Sequence, residues 1–516
     1  MKKVIVLLIG TVIFAFTACS RSSSAPASGA ALASGDAEKP VELDLFVDFT
    51  WFEVDSWTGI IPEEITRKTG VKLNVTRAVD NSQLGMMIAS GNLPDLIFTE
   101  PELSRLASEN FAWSYNELIE KYAPDWRPDP ILITNSKLLN KQGDNNYYFL
   151  LTAFSTAEKW RNAAGVGNMP SIGVRQDILD ALGNPPLNTL EDFETVLGMV
   201  KEKYPDIIPY VACPQANWGN VALRTWHGIS NEKFGEEDGK VVYYTNSKNY
   251  RTYLQYVNRL YRKGYMIADN YSYTDSDLKA MYQNGLCFAF SLATTGELYS
   301  FAEMAKSSDP RAYGREIALL RPDVKYYNTG TGWAGVVITK NCKNPEAAIK
   351  FMQYMWTQEG MRLSEWGREG IEWNMGSDGL PEFSDEWMEA SRDRKVFYTK
   401  YNPHFFISMD QVEEVAGRMA ALPADYRAIY RDIAPYIYVC PWIGAATPKA
   451  DGPEKNILVK LNDMALNSEV KCFLAENDAE FDRYYNELMN NAKTIGVDQL
   501  ESYMNEQVPK YRAMYQ

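Results

Sequence analysis

The chain has 516 residues, of which 46% are hydrophobic and 23% charged, so its composition is globular and its length exceeds one ordinary domain. Its formal net charge of −15 argues against nucleic acid or an anionic lipid surface as a partner, because both attract clusters of Lys and Arg. With only two histidines, His227 and His404, zinc sites based on His and Ser-His-Asp catalysis are hard to build.

The first predicted element is an export signal. A positively charged start precedes an apolar run that is too short to span a bilayer, so residues 1–18 are predicted to be a secretory signal peptide. Small residues lead to Cys19, an ending that resembles the lipidation motif of bacterial lipoproteins. Residues 19–39, rich in Ser, Ala and Gly, are then expected to be the lipid-bearing cysteine and a flexible tether. An ordinary secretory signal that is cut elsewhere is the alternative.

The folded part begins with alternating strands and helices. The predicted elements are strand 41–47, helix 63–68, strand 71–75, helix 82–90 and strand 95–99. This order predicts a parallel sheet with helices on its faces, and ligands of such sheets bind at the carboxyl ends of the strands. The first strand ends at Asp48, and Trp51 follows it closely, so both are expected where a ligand would be met.

A second unit begins near Ser171. Its predicted elements are strand 171–175, helices from 177, 189, 250 and 275, and strand 286–290. A further strand at 336–339 is followed by a helix that begins at Pro345 and is expected to end at Gly360. From about Asp385 the chain is predicted to be mostly helical. Five cysteines remain if Cys19 carries lipid; the sequence leaves open whether any of them form a disulfide.

Four groups of residues carry a resemblance to a known family. They are 68–73 with 87–97, 172–183 with 190–193, Trp333 with 338–352, and 367–373. In this order the chain resembles the extracellular solute-binding proteins of family 1, sugar-binding lipoproteins that serve ABC transporters. It is most similar to the branch associated with complex or acidic oligosaccharides.

The resemblance implies an α/β, two-lobed periplasmic-binding-protein-like fold of type II. Each lobe would be a mostly parallel sheet flanked by helices, with a helical C-terminal region. The expected N-terminal lobe is 41–170 plus about 334–376, and the expected C-terminal lobe is 171–333 plus much of 377–516. The ligand would lie in the cleft between the lobes, which close around it.

The resemblance also implies a monomer that passes an oligosaccharide to ABC permease subunits without chemistry on the ligand. The membrane would be reached through the N-terminal lipid alone, on the extracytoplasmic face of a bacterial cell. Related proteins often carry a calcium loop after the helix that matches 190–203. Here residues 201–209 lack the oxygen ligands of such a loop, so we expect no metal and no cofactor.

Sugar recognition needs flat aromatic faces beside polar groups. The chain has 13 Trp, several of them in predicted loops next to polar residues. The candidate ligand-binding residues are Asp48, Trp51, Trp160, Arg161, Trp218, Trp333 and Trp373. Core packing is the competing interpretation for any single Trp, and a salt bridge is the competing interpretation for Arg161.

Two other functions remain open at this stage. Many acidic residues with many aromatics also fit a secreted glycoside hydrolase, which needs two carboxylates that flank one bond. A peptide-binding lipoprotein could use the same cleft, with the peptide added as a strand.

Overall fold

The structure is a computed structural model of the chain. It describes residues 39–515 except 53, 141, 164–169, 213–219, 293–313, 319–322, 404–406, 421–430 and 449–451. None of the helices in this described part has the length and apolar character needed to cross a membrane.

The described strands and helices are numbered here in chain order. The strands are β1 Val41–Val47, β2 Val71–Arg77, β3 Leu96–Thr99, β4 Ser171–Arg175, β5 Ile208–Val211, β6 Phe234–Glu237, β7 Lys240–Tyr243, β8 Cys287–Leu292, β9 Gly314–Ile317, β10 Tyr326–Asn328, β11 Gly335–Ile338, β12 Trp373–Met375, β13 Pro381–Phe383 and β14 Ile437–Val439. The helices are α1 Ile60–Thr69, α2 Gln83–Ser90, α3 Leu103–Leu106, α4 Tyr115–Tyr122, α5 Pro130–Lys137, α6 Ala157–Asn162, α7 Gln176–Ala181, α8 Leu190–Lys203, α9 Val221–Trp226, α10 Tyr250–Arg262, α11 Asp275–Gln283, α12 Pro345–Met355, α13 Gln358–Trp366, α14 Asp385–Ser391, α15 Arg394–Lys400, α16 Gln411–Ala420, α17 Pro441–Ala446, α18 Pro453–Phe473, α19 Asp478–Ile495 and α20 Val497–Met514.

The first sheet has the strand order β11-β3-β1-β2. β1 pairs in parallel with both β2 and β3, as the alternation of strands and helices predicts, and β11 joins β3 antiparallel. Leu43 and Leu45 pack into a core on one face of the sheet, and Phe46 packs into a second core on the other. Both faces are therefore covered, which is why the inner strands are so apolar.

The second sheet has the order β5-β8-β4-β9. β5 pairs with β8 in parallel, but β4 pairs antiparallel with both β8 and β9. The sheet is therefore mixed and departs from the mostly parallel sheet expected here. Whether two strands pair parallel or antiparallel depends on the end of the sheet to which the connecting segment brings the chain back. The hydrophobic pattern of a short buried strand does not indicate this direction.

The C-terminal helices complete the core of the second sheet. Leu461 on α18, Leu488 on α19, and Leu500 and Met504 on α20 are buried in the same cluster as the side chains of β4 and α8. Asn258 on α10 donates hydrogen bonds to the carbonyls of Phe473 and Ala475, where α18 ends. By contrast, Trp387 on α14 and Tyr401 after α15 pack into the core of the first sheet.

Local capping fixes several helix boundaries. Thr189 and Asp192 form the expected capping box at the start of α8, with each side chain accepting from the other residue's backbone N–H. The prediction for the end of α12 was wrong, since α12 ends at Met355 and Gly360 lies inside α13. The Thr357 hydroxyl accepts a hydrogen bond from the Gly360 N–H and starts this new helix.

A cluster of tryptophans links α6, α13, the β12–β13 hairpin and α16. Trp160, Trp366 and Trp373 are each at most 2% exposed and pack with Leu380 and Met419. The rings of Trp366 and Trp373 meet edge to face, with centroids 5.0 Å apart. Such pairs stabilise a fold by about 0.5–1.5 kcal/mol beyond their buried area, so this cluster is structural.

A partly buried carboxyl group lies beside this cluster. The Oε1 atom of Glu365 on α13 is sealed from solvent and has no hydrogen-bond partner among the residues that the structure describes. Burial raises the pKa of Glu365 well above 4.5; the charge of Glu414 raises it further and that of Arg418 lowers it. Glu413 and Asp410 also raise this pKa. At pH values between the unfolded and the folded pKa, the Glu365 carboxyl group therefore keeps a proton in the folded protein that it loses in the unfolded chain.

We expect Glu365→Gln to become more stable than the wild type as the pH rises from about 5 to 8. Because the folded pKa is raised, the carboxyl group lowers the free energy of unfolding at pH values above its unfolded pKa, and the neutral amide removes this effect. Urea unfolding across this pH range measures the difference. Glu120→Gln, at an exposed position on α4, is the control. A difference between wild type and Glu365→Gln that does not change with pH would contradict the prediction.

The described cysteines are not in disulfides. Cys287, Cys342, Cys440 and Cys472 are free and buried, and Cys213 lies outside the described residues. Burial raises the thiol pKa of Cys287, Cys342 and Cys472 to about 12, so these side chains behave as small apolar groups.

Candidate functional site

Three chain segments meet at one edge of the first sheet. β1 and β3 run in parallel, with Val47 opposite Phe98, so their carboxyl ends lie side by side. β11 runs antiparallel to β3, with Gly335 opposite Thr99, so the residues that precede β11 come to the same edge. This topology brings the residues after Val47, those after Phe98 and those before Gly335 together.

Aromatic rings cover this edge. Phe49, Phe52 and Phe98 are buried and form the base. The ring of Trp333 lies 4.8 Å from Phe49, between centroids, and 5.8 Å from the ring of Trp51, with 30° between the two indole planes. Trp51 is 54% exposed and Trp333 is half-buried. The edge therefore presents two indole rings in similar orientation, supported from beneath by phenylalanines. We call these five residues the aromatic edge.

Polar groups lie directly beside the aromatic edge. Asp48 is buried, and its Oδ2 accepts a hydrogen bond of 2.8 Å from the Thr99 hydroxyl. Burial raises the pKa of Asp48, the Thr99 hydrogen bond opposes this, and the charge of Glu102 adds to it. The Trp333 indole N–H donates to Glu100 Oε2 at 3.1 Å. Apolar ring faces with hydrogen-bonding groups at their margin match a ligand that is both apolar and polar.

The aromatic edge adjoins the place where the chain crosses between the two sheets. The Trp333 N–H donates to the Thr152 carbonyl, and the Thr152 N–H donates to the Ala334 carbonyl, both at 2.8 Å. The Thr152 hydroxyl accepts from the Met409 N–H at 2.6 Å. Three segments that are far apart in the sequence, near residues 152, 333 and 409, are thus joined by hydrogen bonds to Thr152 and its carbonyl.

The buried carboxylate of Asp410 further connects two of these segments, those near residues 155 and 410. Asp410 is 5% exposed and accepts from the Ser155 hydroxyl at 2.5 Å. It forms an ion pair with Lys159 of α6 at 2.6 Å, and its Oδ1 accepts from the Val412 N–H at the start of α16. A carboxylate with this many partners fixes the position of the segment near residue 155 relative to the segment near residue 410.

Three of the sequence candidates, Trp160, Arg161 and Trp373, lie away from the aromatic edge. Trp160 and Trp373 are 1% and 2% exposed, inside the tryptophan cluster, and the Trp373 indole N–H donates to the Gly367 carbonyl at 3.0 Å. Both therefore pack in the tryptophan cluster and do not contribute to the aromatic edge. Their polar neighbours face elsewhere: Glu372 forms a two-bond salt bridge with Arg368, and Arg161 lies exposed on α6.

Other candidates cannot be placed. Trp218 and Cys19 lie outside the described residues. The carboxyl ends of β5 and β8 lead directly into residues 213–219 and 293–313, which also lie outside them. In the described part of the chain, no group of three or more His, Cys, Asp or Glu side chains could hold a metal ion.

Two surface depressions elsewhere are weaker candidates. One, of about 550 Å³, lies against β1 and β2, near Asp44 and Trp57. The other, of about 380 Å³, is lined by charged groups of α1 and α13 that already form ion pairs, such as Lys68 with Glu359. Neither brings several aromatic faces together.

Local sequence patterns do not single out Phe49, Phe98, Thr99 and Glu100. The last three, however, end β3 or follow it, so the strand-end rule that selected Trp51 would also have found them if applied to the third strand. The hydrogen bond between Glu100 and Trp333 joins residues 233 positions apart, and no local pattern indicates it.

Comparisons with known proteins agree with this architecture. Residues 53–362 match the family described as bacterial extracellular solute-binding protein. The lipoprotein LipO of Bacillus subtilis (strain 168) is 23% identical over 344 residues, which cover 61% of this chain and 64% of that protein. The alignment thus spans less than two thirds of the length of this relative.

Two solved structures share the fold. The S. pneumoniae ABC-transporter substrate-binding protein FusA, in complex with kestose, superposes with a TM-score of 0.64 at 15% identity, covering 92% of this chain and 99% of FusA. The alginate-binding protein AlgQ2, solved without calcium ion, gives a TM-score of 0.60 at 19% identity, covering 92% and 99%. The predicted two-lobed type II fold is therefore confirmed, and the chain belongs to the bacterial extracellular solute-binding proteins.

Proposed function

We propose that this protein captures an oligosaccharide outside a bacterial cell and delivers it to the permease subunits of an ABC importer. The observation that carries the proposal is the aromatic edge, where Trp51 and Trp333 present their rings beside Glu100 and Asp48. A sugar ring has apolar C–H faces that pack on indole rings and hydroxyls that need fixed polar partners.

The family and its relatives support this assignment. FusA was solved with kestose and AlgQ2 is named for binding alginate, so both of these proteins, which share the fold, bind carbohydrates. The hydrogen bonds that join the segments near residues 152, 333 and 409 suit a hinge about which one lobe closes onto the other around the sugar, with the ligand favouring the closed form through its extra contacts. The function requires no chemistry on the ligand, no metal and no cofactor, and the protein acts as a monomer.

The location also belongs to the proposal. Residues 1–18 act as a signal peptide, Cys19 carries the lipid, and residues 19–39 are the tether that keeps the lobes near the extracytoplasmic face of the membrane. The resemblance to a B. subtilis lipoprotein supports this arrangement.

A panel of oligosaccharides tests the function. We expect at least one glycan to raise the melting temperature of the purified protein by mass action and to change its tryptophan fluorescence. Stabilisation by peptides but by no glycan would instead identify a peptide-binding lipoprotein. Release of new reducing ends from a glycan would identify a hydrolase.

The tryptophan cluster supplies a matched negative prediction. Trp373→Phe removes the hydrogen bond to Gly367 and part of a buried ring, so we expect it to lower the free energy of unfolding by about 1–3 kcal/mol. Because Trp373 is buried away from the aromatic edge, the affinity for the sugar should change less than about twofold. Denaturant unfolding and calorimetric titration of this variant measure the two effects separately. A large loss of affinity without loss of stability would return Trp373 to the site.

A further inference from the structure

The carboxylate of Glu100 accepts a hydrogen bond directly from the indole N–H of Trp333, one of the two tryptophans of the aromatic edge. Glu100 is the first residue after β3, and its Oε2 lies 3.1 Å from the indole nitrogen of Trp333. Strand register brings the two together, because Gly335 pairs with Thr99. Glu100 itself is exposed to solvent, so its carboxylate stands at the surface of the site and not beneath it.

This bond holds the indole ring in place. A hydrogen bond to a charged acceptor is about twice as strong as one between neutral groups, and it constrains the rotation of the ring. The Phe49 ring supports Trp333 at 4.8 Å from centroid to centroid, and the Phe98 ring meets it edge-on at 85°. A ring oriented before the ligand arrives loses less conformational entropy on binding.

The same carboxylate belongs to an acidic margin. Asp48 and Glu102 lie at the ends of the same two strands, close enough for Glu102 to affect the ionisation of Asp48. The arginines near this margin have acceptors of their own. Arg105 pairs with Glu102 at 3.4 Å, and Arg77 donates to the Phe52 carbonyl at 2.5 Å. An anionic group placed on the Trp333 ring would therefore meet the negative charge of Glu100.

We infer that Glu100 positions Trp333 and makes the site prefer neutral oligosaccharides over those that carry uronate groups. This inference rests on the proposed function. The hydroxyl groups of a neutral sugar can donate to the Glu100 carboxylate, a charge-assisted bond. The carboxylate of a uronate can only accept, and it is repelled by a second carboxylate a few ångströms away.

The test compares a neutral oligosaccharide from the panel with the same molecule oxidised to carboxylates at its primary alcohols. We expect the wild type to bind the neutral form more tightly, and Glu100→Gln to reduce this preference about fivefold. The glutamine oxygen can still accept both the indole N–H and a sugar hydroxyl, so Glu100→Gln should weaken binding of the neutral sugar less than Glu100→Ala does. Added salt should strengthen binding of the oxidised form to the wild type more than it strengthens binding to Glu100→Gln.

Two further variants separate charge from positioning. Glu100→Ala loses the acceptor as well as the charge, so it should weaken binding of both sugars and alter the Trp333 fluorescence. Glu102→Gln removes a nearby charge without touching Trp333, so it should change the preference less than Glu100→Gln does. An equal preference in wild type and Glu100→Gln, or tighter binding of the oxidised sugar by the wild type, would overturn the inference while leaving sugar binding intact. If no sugar binds at all, the proposed function fails and the inference fails with it.

Discussion

Replacing Trp333 by alanine is expected to lower the affinity for the oligosaccharide by about 30-fold or more, the effect of losing a central aromatic anchor. Trp333 contacts Phe49, Trp51 and Phe98, and its indole nitrogen donates a hydrogen bond to Glu100, so its ring is held on several sides. A ring that is already held on several sides loses little conformational entropy when a ligand packs on its face. Calorimetric titration with the sugar found in the panel measures the loss.

Two other variants make this result specific. Trp333→Phe keeps an aromatic face but loses the bond to Glu100, so its affinity should fall between the wild type and Trp333→Ala. Trp51 is 54% exposed, so Trp51→Ala should cost about tenfold in affinity while leaving the unfolding midpoint nearly unchanged. If Trp333→Ala binds the sugar as tightly as the wild type, the ligand binds elsewhere and the aromatic edge is not the site.

The position of the aromatic edge follows from local patterns in the sequence. The alternation of Val41, Leu43, Leu45 and Val47 gives the end of β1, and residues after that point must lie at the carboxyl edge of a parallel sheet. This rule points to Asp48 and Trp51, and the structure places both at this edge. The parallel part of the first sheet, β1 to β3, could be predicted because β1 and β2 are each followed by a clear helix.

The burial of tryptophans could not be predicted in the same way. Trp160 and Trp373 stand beside Arg161 and Glu372, and polar neighbours suggested exposed loops. The structure turns the indoles inward against α13 and α16, while Glu372 bonds to Arg368. The burial of Trp160 depends on α13 and α16, which lie far away in the chain, and the local sequence around Trp160 does not indicate that they pack against it.

The mixed second sheet has a similar origin. β8 and β9 flank β4, and both run antiparallel to it, although β4 itself is followed by a helix as in a parallel unit. A short apolar strand fits either direction, and the direction is fixed by the long connections that precede it. The family resemblance supplied the two-lobed plan without supplying this detail.

Replacing Gly332 by alanine is expected to lower the free energy of unfolding by about 2–4 kcal/mol, because the new methyl group has no space and the backbone has the wrong conformation for it. Gly332 has φ +100°, which disfavours residues with a side chain. A Cβ there would lie 2.4 Å from Leu151 Cβ and 3.1 Å from the Thr152 carbonyl oxygen. Urea unfolding monitored by circular dichroism measures the change.

The effect should extend to binding, because Gly332 immediately precedes Trp333 in a crossing segment. Moving residue 332 away from Leu151 would strain the hydrogen bond between the Trp333 N–H and the Thr152 carbonyl, which holds two crossings together. Gly330→Ala is the matched control in the same loop. Its φ is not left-handed, and its closest neighbour would be Asn328 Oδ1 at 3.3 Å, so it should cost less than about 1 kcal/mol and leave sugar affinity intact. Equal stability of the two alanine variants would mean that the crossings tolerate displacement here, and that the close contact at Gly332 does not set the position of Trp333.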